Sequence, residues 1–227
     1  MTKELFIALL PTVVIVFFLL RFDKYKKEPL GLLVLLFIAG VVTAVPAVVL
    51  EQLYVNLFGN AYSPFQLVMQ AFFGVALVEE SVKFIACRLI AYRKKSYDEL
   101  YDGIIYCSFV SLGFATIENI LYVNQYGFTT ALVRAVTAVP AHAIFGVLMG
   151  YFLSLSKFVP EKRGFYRALS LISPVFAHGV YDAILFLDLD WALLIFLPFM
   201  VLLYKRAFTL IKATNDVEPF DDADYRG

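Results

Sequence analysis

Seven acidic, basic or imidazole side chains of this 227-residue chain lie deep in apolar sequence, where such groups are rare. They are Glu79, Glu80, Lys83, Glu118, His142, His178 and Asp182, and they include both histidines of the chain. Carboxylates and imidazoles in one apolar environment can take a proton from water, stabilise an oxyanion or bind a metal ion. The set therefore predicts a functional site, and by these residue types alone hydrolysis and proton or cation transport fit equally well.

The spacing of these residues indicates which of them share a helical face. Glu79 lies four residues before Lys83 and Glu80 three residues before it, so one ammonium group can neutralise the carboxylate that is not used for chemistry. His178 and Asp182 are also one turn apart, which lets the carboxylate orient the imidazole or join it as a metal ligand. The residues that share a helical face with His142 have small side chains, which favours close helix packing.

Composition identifies the solvent of these helices. Hydrophobic residues make up 61% of the chain and charged residues 17%, with a mean hydropathy of +0.79. An ordinary soluble globule is excluded, because so few charges could not cover so much apolar surface, whereas a lipid bilayer needs no polar cover. The formal net charge is zero, so no nucleic-acid partner is expected. Cys87 and Cys107 are predicted to pack in the core.

Apolar runs long enough to cross a bilayer recur along the chain. We therefore predict an all-α polytopic membrane protein, a bundle of about seven transmembrane helices forming one domain over residues 1–211. Residues 212–227 are predicted to be an acidic cytoplasmic tail. The predicted spans are 4–21, 30–50, 65–91, 103–126, 130–156, 166–187 and 191–211.

Basic residues concentrate in alternate connections between these spans. They follow spans 1 and 3, join spans 5 and 6, and flank the end of span 7, whereas the opposite side has only Lys3 and Arg134. The positive-inside rule then predicts that the N-terminus faces out and the C-terminus faces in.

Depth within the membrane limits where the polar residues point. Charges near the centre of a lipid-facing helix cost about 2.5–3.5 kcal/mol each, so the set must face the bundle interior. At about 1.5 Å per residue, Asp182 lies roughly 9 Å below the outer surface and Glu79 and Glu80 roughly 20–22 Å. Water is therefore expected to reach the site from outside.

Four short motifs resemble those of the PrsW family of bacterial intramembrane proteases. They occur in the family's order on spans 3 to 6, and the resemblance extends to the topology of the whole chain. The segment 79–83 is similar to EExxK, 114–119 to FxxxEN and 178–182 to HxxxD, while His142 matches a further histidine motif between the last two. The related CPBP group, which includes prenyl-protein peptidases, has Arg, His and Asn where this chain has Lys83, Glu118 and Asp182, so the PrsW branch is favoured.

The resemblance implies a multi-pass protease of the bacterial cell membrane. Its substrate would be a single-span membrane protein, an anti-sigma factor, and the site-1 cut would lead to sigma-factor activation in an envelope stress response. All seven polar residues are candidates for the catalytic site, with Glu79 or Glu80 as the base. His142, His178, Glu118 and Asp182 are candidate ligands of a metal, Zn²⁺ being the one considered, and a metal-free mechanism stays open because no HExxH helix occurs.

Two other functions are compatible with the buried polar residues and the composition of the chain. Buried Glu, Asp and His chains also form proton or cation pathways in transporters. A non-catalytic scaffold would explain the glycines and aromatic residues but leaves the cost of the buried polar set unexplained. The motifs favour a peptidase over both.

Overall fold

The computed structural model describes residues 2–217, which are helical with short connections and contain no strand. The predicted all-α membrane fold is confirmed. The elements are α1 (Thr2–Phe22), α2 (Leu30–Phe58), α3 (Pro64–Met69), a π-helical segment (Gln70–Ala76), α4 (Leu77–Ile90), α5 (Leu100–Tyr126), α6 (Phe128–Val136), α7 (Ala138–Phe158), a 3₁₀ turn (Pro160–Lys162), α8 (Arg163–Phe186) and α9 (Ala192–Asn215).

Five helical stretches of the described chain are long and apolar enough to cross a membrane. They are Leu30–Phe58, Leu100–Tyr126, Phe128–Phe158, Pro160–Phe186 and Ala192–Asn215. The first predicted span contributes a shorter apolar helix over Ala8–Phe22. The third predicted span, 65–91, is the continuous course of α3, the π-helical segment and α4. The count of seven spans stays a prediction.

The bundle is built around α5, which is buried along most of its length. Helix α7 packs against it closely, because α7 presents glycines at the contact. A Cβ on Gly150 would lie 2.1 Å from the carbonyl oxygen of Gly103, and one on Gly146 would lie 2.7 Å from Cα of Ser108. Any larger residue at these positions would push the helices apart, so the small face predicted around His142 is the α5 contact.

The structure divides the predicted span 130–156 into α6 and α7. The break is at Thr137, with φ −119° and ψ −73°. Pro140 explains it, because a proline lacks the N–H that would bond to the carbonyl of Val136, and its ring would clash with that carbonyl in a continuous helix. At the third position of α7 the missing N–H costs nothing, since the first four N–H groups of a helix have no partner within it.

Three connections and the end of α9 meet at one end of the bundle. Lys26 pairs with Asp98 across the α1–α2 and α4–α5 connections, and Lys157 Nζ donates to the carbonyl of Tyr92 at 3.1 Å. This end, called the basic end below, carries the Lys- and Arg-rich connections of the sequence. Residues 212–215 of the predicted tail still belong to α9, and residues 218–227 lie outside the described chain.

Several carboxyl groups are buried in the connections of the basic end. Glu28 and Glu99 are each less than a tenth exposed, and Glu99 accepts a hydrogen bond from the backbone N–H of Lys26 at 3.1 Å. Burial, together with the neighbouring carboxylates Asp23 and Asp98, raises the pKa of Glu99 to about 7. Burial also raises the pKa of Glu28. The folded protein therefore binds protons here that the unfolded chain has already released.

We expect the protein to become more stable to heat as the pH falls from 8 to 5.5. The pKa of Glu99 is about 7 in the folded protein and 4.5 as its ordinary value, so its stabilising contribution is complete below pH 4.5 and is lost as the pH rises through 7. Glu99→Gln should reduce this pH dependence, measured as the melting temperature in detergent. Glu161→Gln, which removes an exposed carboxylate, is the control. An unchanged slope in Glu99→Gln would contradict the assignment.

Candidate active site

A cavity of about 650 Å³ enters the bundle at the end opposite the basic end. Its wall includes the last turns of α5 and α8 and the first turn of α9, so it reaches that surface. Helices α2, α4, α5, α6, α7, α8 and α9 all contribute to its lining. Its charged and imidazole side chains are Glu51, Glu79, Glu118, Arg134, His142, His178 and Asp182.

The π-helical segment positions the Glu79-Glu80 pair against α8. π-helical insertions widen a helix and are frequent at functional sites. Phe72 of this segment packs on Gly179, where a Cβ would lie 2.5 Å from the aromatic ring. This close contact brings α8 near α4, so that His178 Nδ1 lies 3.0 Å from Glu80 Oε1.

Lys83 forms the centre of the site. Its ammonium donates to Glu79 Oε2 and to Glu80 Oε1, both at 2.9 Å, and lies 3.1 Å from His142 Nδ1. The group is fully buried and also sits 4.0 Å from the centre of the Phe114 ring. The predicted sharing of one face by these three charged residues is present, and a single cation contacts two carboxylates.

The contacts of His142 determine which of its nitrogens carries the proton. An ammonium group between two carboxylates is charged and can only donate, so His142 Nδ1 must accept from Lys83. Nε2 then carries the hydrogen and donates to Glu118 Oε2 at 2.9 Å. The imidazole is therefore the neutral Nε2–H tautomer, and it links α4 to α5.

His178 has a carboxylate at each of its nitrogens. Nδ1 faces Glu80, and Nε2 lies 3.3 Å from Asp182 Oδ2, one turn along α8. The ring stacks on Phe145 with centroids 4.8 Å apart, and its centroid is 5.2 Å from that of His142. Asp182 thus lies beside the imidazole, as its spacing predicted, and its orienting role stays a prediction.

The residues that could hold a metal are grouped differently from the set expected from sequence. Ligand atoms of Glu79, Glu80, His142 and His178 all lie within 4.8 Å of one another, the only such group in the described chain. Two imidazoles and two carboxylates suit Zn²⁺, and the buried Glu80 Oε2 has no hydrogen-bond partner among the described residues, so the donor set fits a metal. Glu118 and Asp182 instead contact the Nε2 atoms of the two histidines. There each is placed to orient an imidazole, a role often filled by carboxylates around metal sites.

Sequence reasoning missed two charged residues of the cavity. Arg134, counted there only as a loop charge, places Nη2 3.0 Å from Glu118 Oε2. Glu51, one residue past the predicted second span, lies inside α2, because that helix continues to Phe58. The apolar residues that continue to Phe58 are the signal that would have extended the predicted second span past Glu51.

Known proteins resemble this chain over most of its length. A family model described as "PrsW family intramembrane metalloprotease" matches residues 28–204. Among curated relatives, the protease PrsW of Geobacillus kaustophilus is 39% identical over 84% of this chain and 82% of its own. That of Clostridioides difficile is 36% identical over 90% and 89%, and that of Bacillus subtilis 36% over 86% and 88%. No solved structure matches the chain.

We expect Lys83→Met to destabilise the protein by about 3–5 kcal/mol, because it leaves two carboxylates in the interior without their cation. The double variant Lys83→Met with Glu80→Gln should recover part of this loss, since it removes one of the uncompensated charges. Denaturant unfolding in detergent measures both, and Lys162→Met, at an exposed lysine, is the control. A Lys83→Met protein as stable as the wild type would refute the charge balance described here.

Proposed function

Because the chain belongs to the PrsW family of intramembrane metalloproteases and is therefore a membrane-embedded peptidase, we propose that it makes the first cut in a membrane-anchored anti-sigma factor. Other proteases would then release the sigma factor in response to envelope stress. The observation that carries the peptidase chemistry is the contact of Glu79, Glu80, Lys83 and His178 beside a cavity that opens at one end of the bundle.

The two carboxylates of the pair have different access to water. Glu79 lines the cavity, whereas Glu80 is fully buried and is held by Lys83 and His178. Glu79 is therefore the group that takes the proton from the attacking water, and Glu80 fixes the position of the imidazole. Lys83 donates a hydrogen bond to each carboxylate and supplies one positive charge between them.

The two imidazoles supply the remaining polar groups of the reaction. His142 and His178 both line the cavity next to Glu79. The single N–H of His142 is bound to Glu118, so it is an N–H of His178 that can stabilise the carbonyl oxyanion or protonate the leaving nitrogen. A divalent metal such as Zn²⁺, held by Glu80, His142 and His178 with Glu79 left as the base, would polarise the carbonyl and the water. Glu118 and Asp182 orient the imidazoles in either case.

Cleavage of a model single-span anti-sigma factor in proteoliposomes tests the assignment. We expect Glu79→Gln to lower the cleavage rate by about 10²–10⁴-fold, the usual contribution of a general base. Glu80→Gln and His178→Ala should also lower it strongly, since they remove the base's partners. Glu161→Gln, at an exposed glutamate, should cleave like the wild type. Normal cleavage by all three site variants would place the active site elsewhere.

Removing the metal tests the donor set with the same substrate. We expect a chelator to abolish cleavage and Zn²⁺ to restore it, with one bound metal per wild-type chain by elemental analysis. His178→Ala should retain less metal than Glu161→Gln, because it lacks an imidazole ligand. Full activity of a chelated protein that contains no metal would establish the metal-free mechanism.

The position of the cavity predicts where the substrate is cut. The cavity lies at the end opposite the basic connections, and the positive-inside rule assigns that end to the outer surface. A helical backbone is hydrogen-bonded and shielded, so the substrate must unwind before its amide reaches Glu79. We expect a cut at the outer end of the substrate helix, and Gly or Pro introduced there should speed cleavage. Mass spectrometry of the products decides, and a cut in the cytoplasmic third would refute this placement.

A further inference from the structure

Arg134 is the only charged residue of the short helix α6, and it turns back onto α5. Its Nη2 lies 3.0 Å from Glu118 Oε2, and its Nε donates to Asn119 Oδ1 at 3.2 Å. The guanidinium carbon lies 4.0 Å from the centre of the Tyr122 ring, and the side chain is only 14% exposed. Three contacts to neighbouring residues of one helix fix the guanidinium group in position and orientation.

Asn119 makes the α5 side of this contact rigid. Its amide nitrogen donates to the backbone carbonyl of Ala8 on α1 at 3.0 Å, while its oxygen accepts from Arg134. The side chain is fully buried. Asn119 therefore joins α1, α5 and α6, and the guanidinium group is held against a fixed support.

Glu118 is the residue that needs this support. Its carboxylate is 21% exposed, and the cavity it faces also contains Glu51, Glu79 and Asp182. The oxygen Oε2 forms an ion pair with Arg134 Nη2 and accepts a hydrogen bond from His142 Nε2. Without the guanidinium group, repulsion from the other carboxylates would act on a side chain that only His142 holds.

Arg134 influences the centre of the site through Glu118. Lys83 favours a lone pair at His142 Nδ1, and the N–H that this leaves at Nε2 is buried and has Glu118 as its acceptor, so the tautomer depends on both contacts. We propose that Arg134 is a positioning residue for the peptidase, which holds Glu118 so that His142 stays in the Nε2–H tautomer. The proposal rests on the peptidase function but concerns a residue that does not touch the reacting atoms.

The two-histidine content of the chain gives a test that needs no substrate. In protein labelled with ¹⁵N-histidine, only two imidazoles contribute signals, and His142→Gln identifies those of His142. We expect the wild type to show His142 with a protonated Nε2 and an unprotonated Nδ1, both before and after chelation. Arg134→Gln should lose this single tautomer, whereas Arg163→Gln, at an exposed arginine, should keep it. A wild-type His142 spectrum in folded Arg134→Gln would overturn the proposal.

Chemical rescue provides the kinetic test. We expect Arg134→Ala to lower kcat at least tenfold with a smaller change in KM, and guanidinium ion to restore kcat saturably where equal concentrations of NaCl or urea do not. Arg134→Lys keeps the charge but not the planar guanidinium group, so its kcat should lie between that of the wild type and that of Arg134→Ala. A loss of activity that guanidinium does not rescue, with the His142 tautomer unchanged, would show a merely structural role. If the wild type fails to cleave the chosen substrate, the proposed substrate is wrong, and the spectra still decide the role of Arg134.

Discussion

The burial of one ammonium group organises this protein. Lys83 is fully enclosed within a membrane bundle, where an unpaired charge costs several kcal/mol. Glu79 and Glu80 offset that cost, but their charges add to −2, so the cluster needs further donors to the carboxylates. His178 supplies one at Glu80. The pairing of charges thus draws α4 and α8 together, and the contact of Lys83 with His142 adds α7.

Short side chains can meet in this way only if the helix backbones come close. The α5–α7 contact achieves this through glycine, with the backbone of Gly103 against Gly150. The α8 contact achieves it through Phe72, which fills the space left by Gly179 beside His178. The π-helical segment that carries Phe72 is irregular just before Glu79, so local geometry and site geometry are set together. Packing and polar chemistry are therefore two aspects of one arrangement.

Periodicity within a helix predicted the contacts that lie within a helix. The Glu79, Glu80 and Lys83 contacts and the His178–Asp182 pair follow from spacing alone. Sequence could not state how one helix is rotated about its axis relative to another. For that reason Glu118 was grouped with the metal ligands, whereas in the structure it contacts His142 at Nε2, away from Lys83.

The pattern of hydrophobic residues also did not predict where some helices begin and end. Hydrophobicity joined α6 to α7, although Pro140 contained the signal for the break that the structure has at Thr137. That break matters for the site, because α6 carries Arg134 and its change of direction brings the guanidinium group to Glu118. The seven predicted spans describe the same apolar runs, but which of them cross the bilayer depends on the lipid boundary rather than on the helix limits.

The asymmetry of the two ends favours hydrolysis over transport. On the side of Lys83 toward the basic end, Cys87 and Cys107 are buried as free thiols with sulfur atoms 2.8 Å apart. Tyr101 and Tyr106 fill the next turns of α5 and are fully buried. A transporter must admit its ion from both surfaces in turn, which requires this tightly packed half to open. A peptidase needs access only for its substrate and for water, and one cavity on the opposite side provides both.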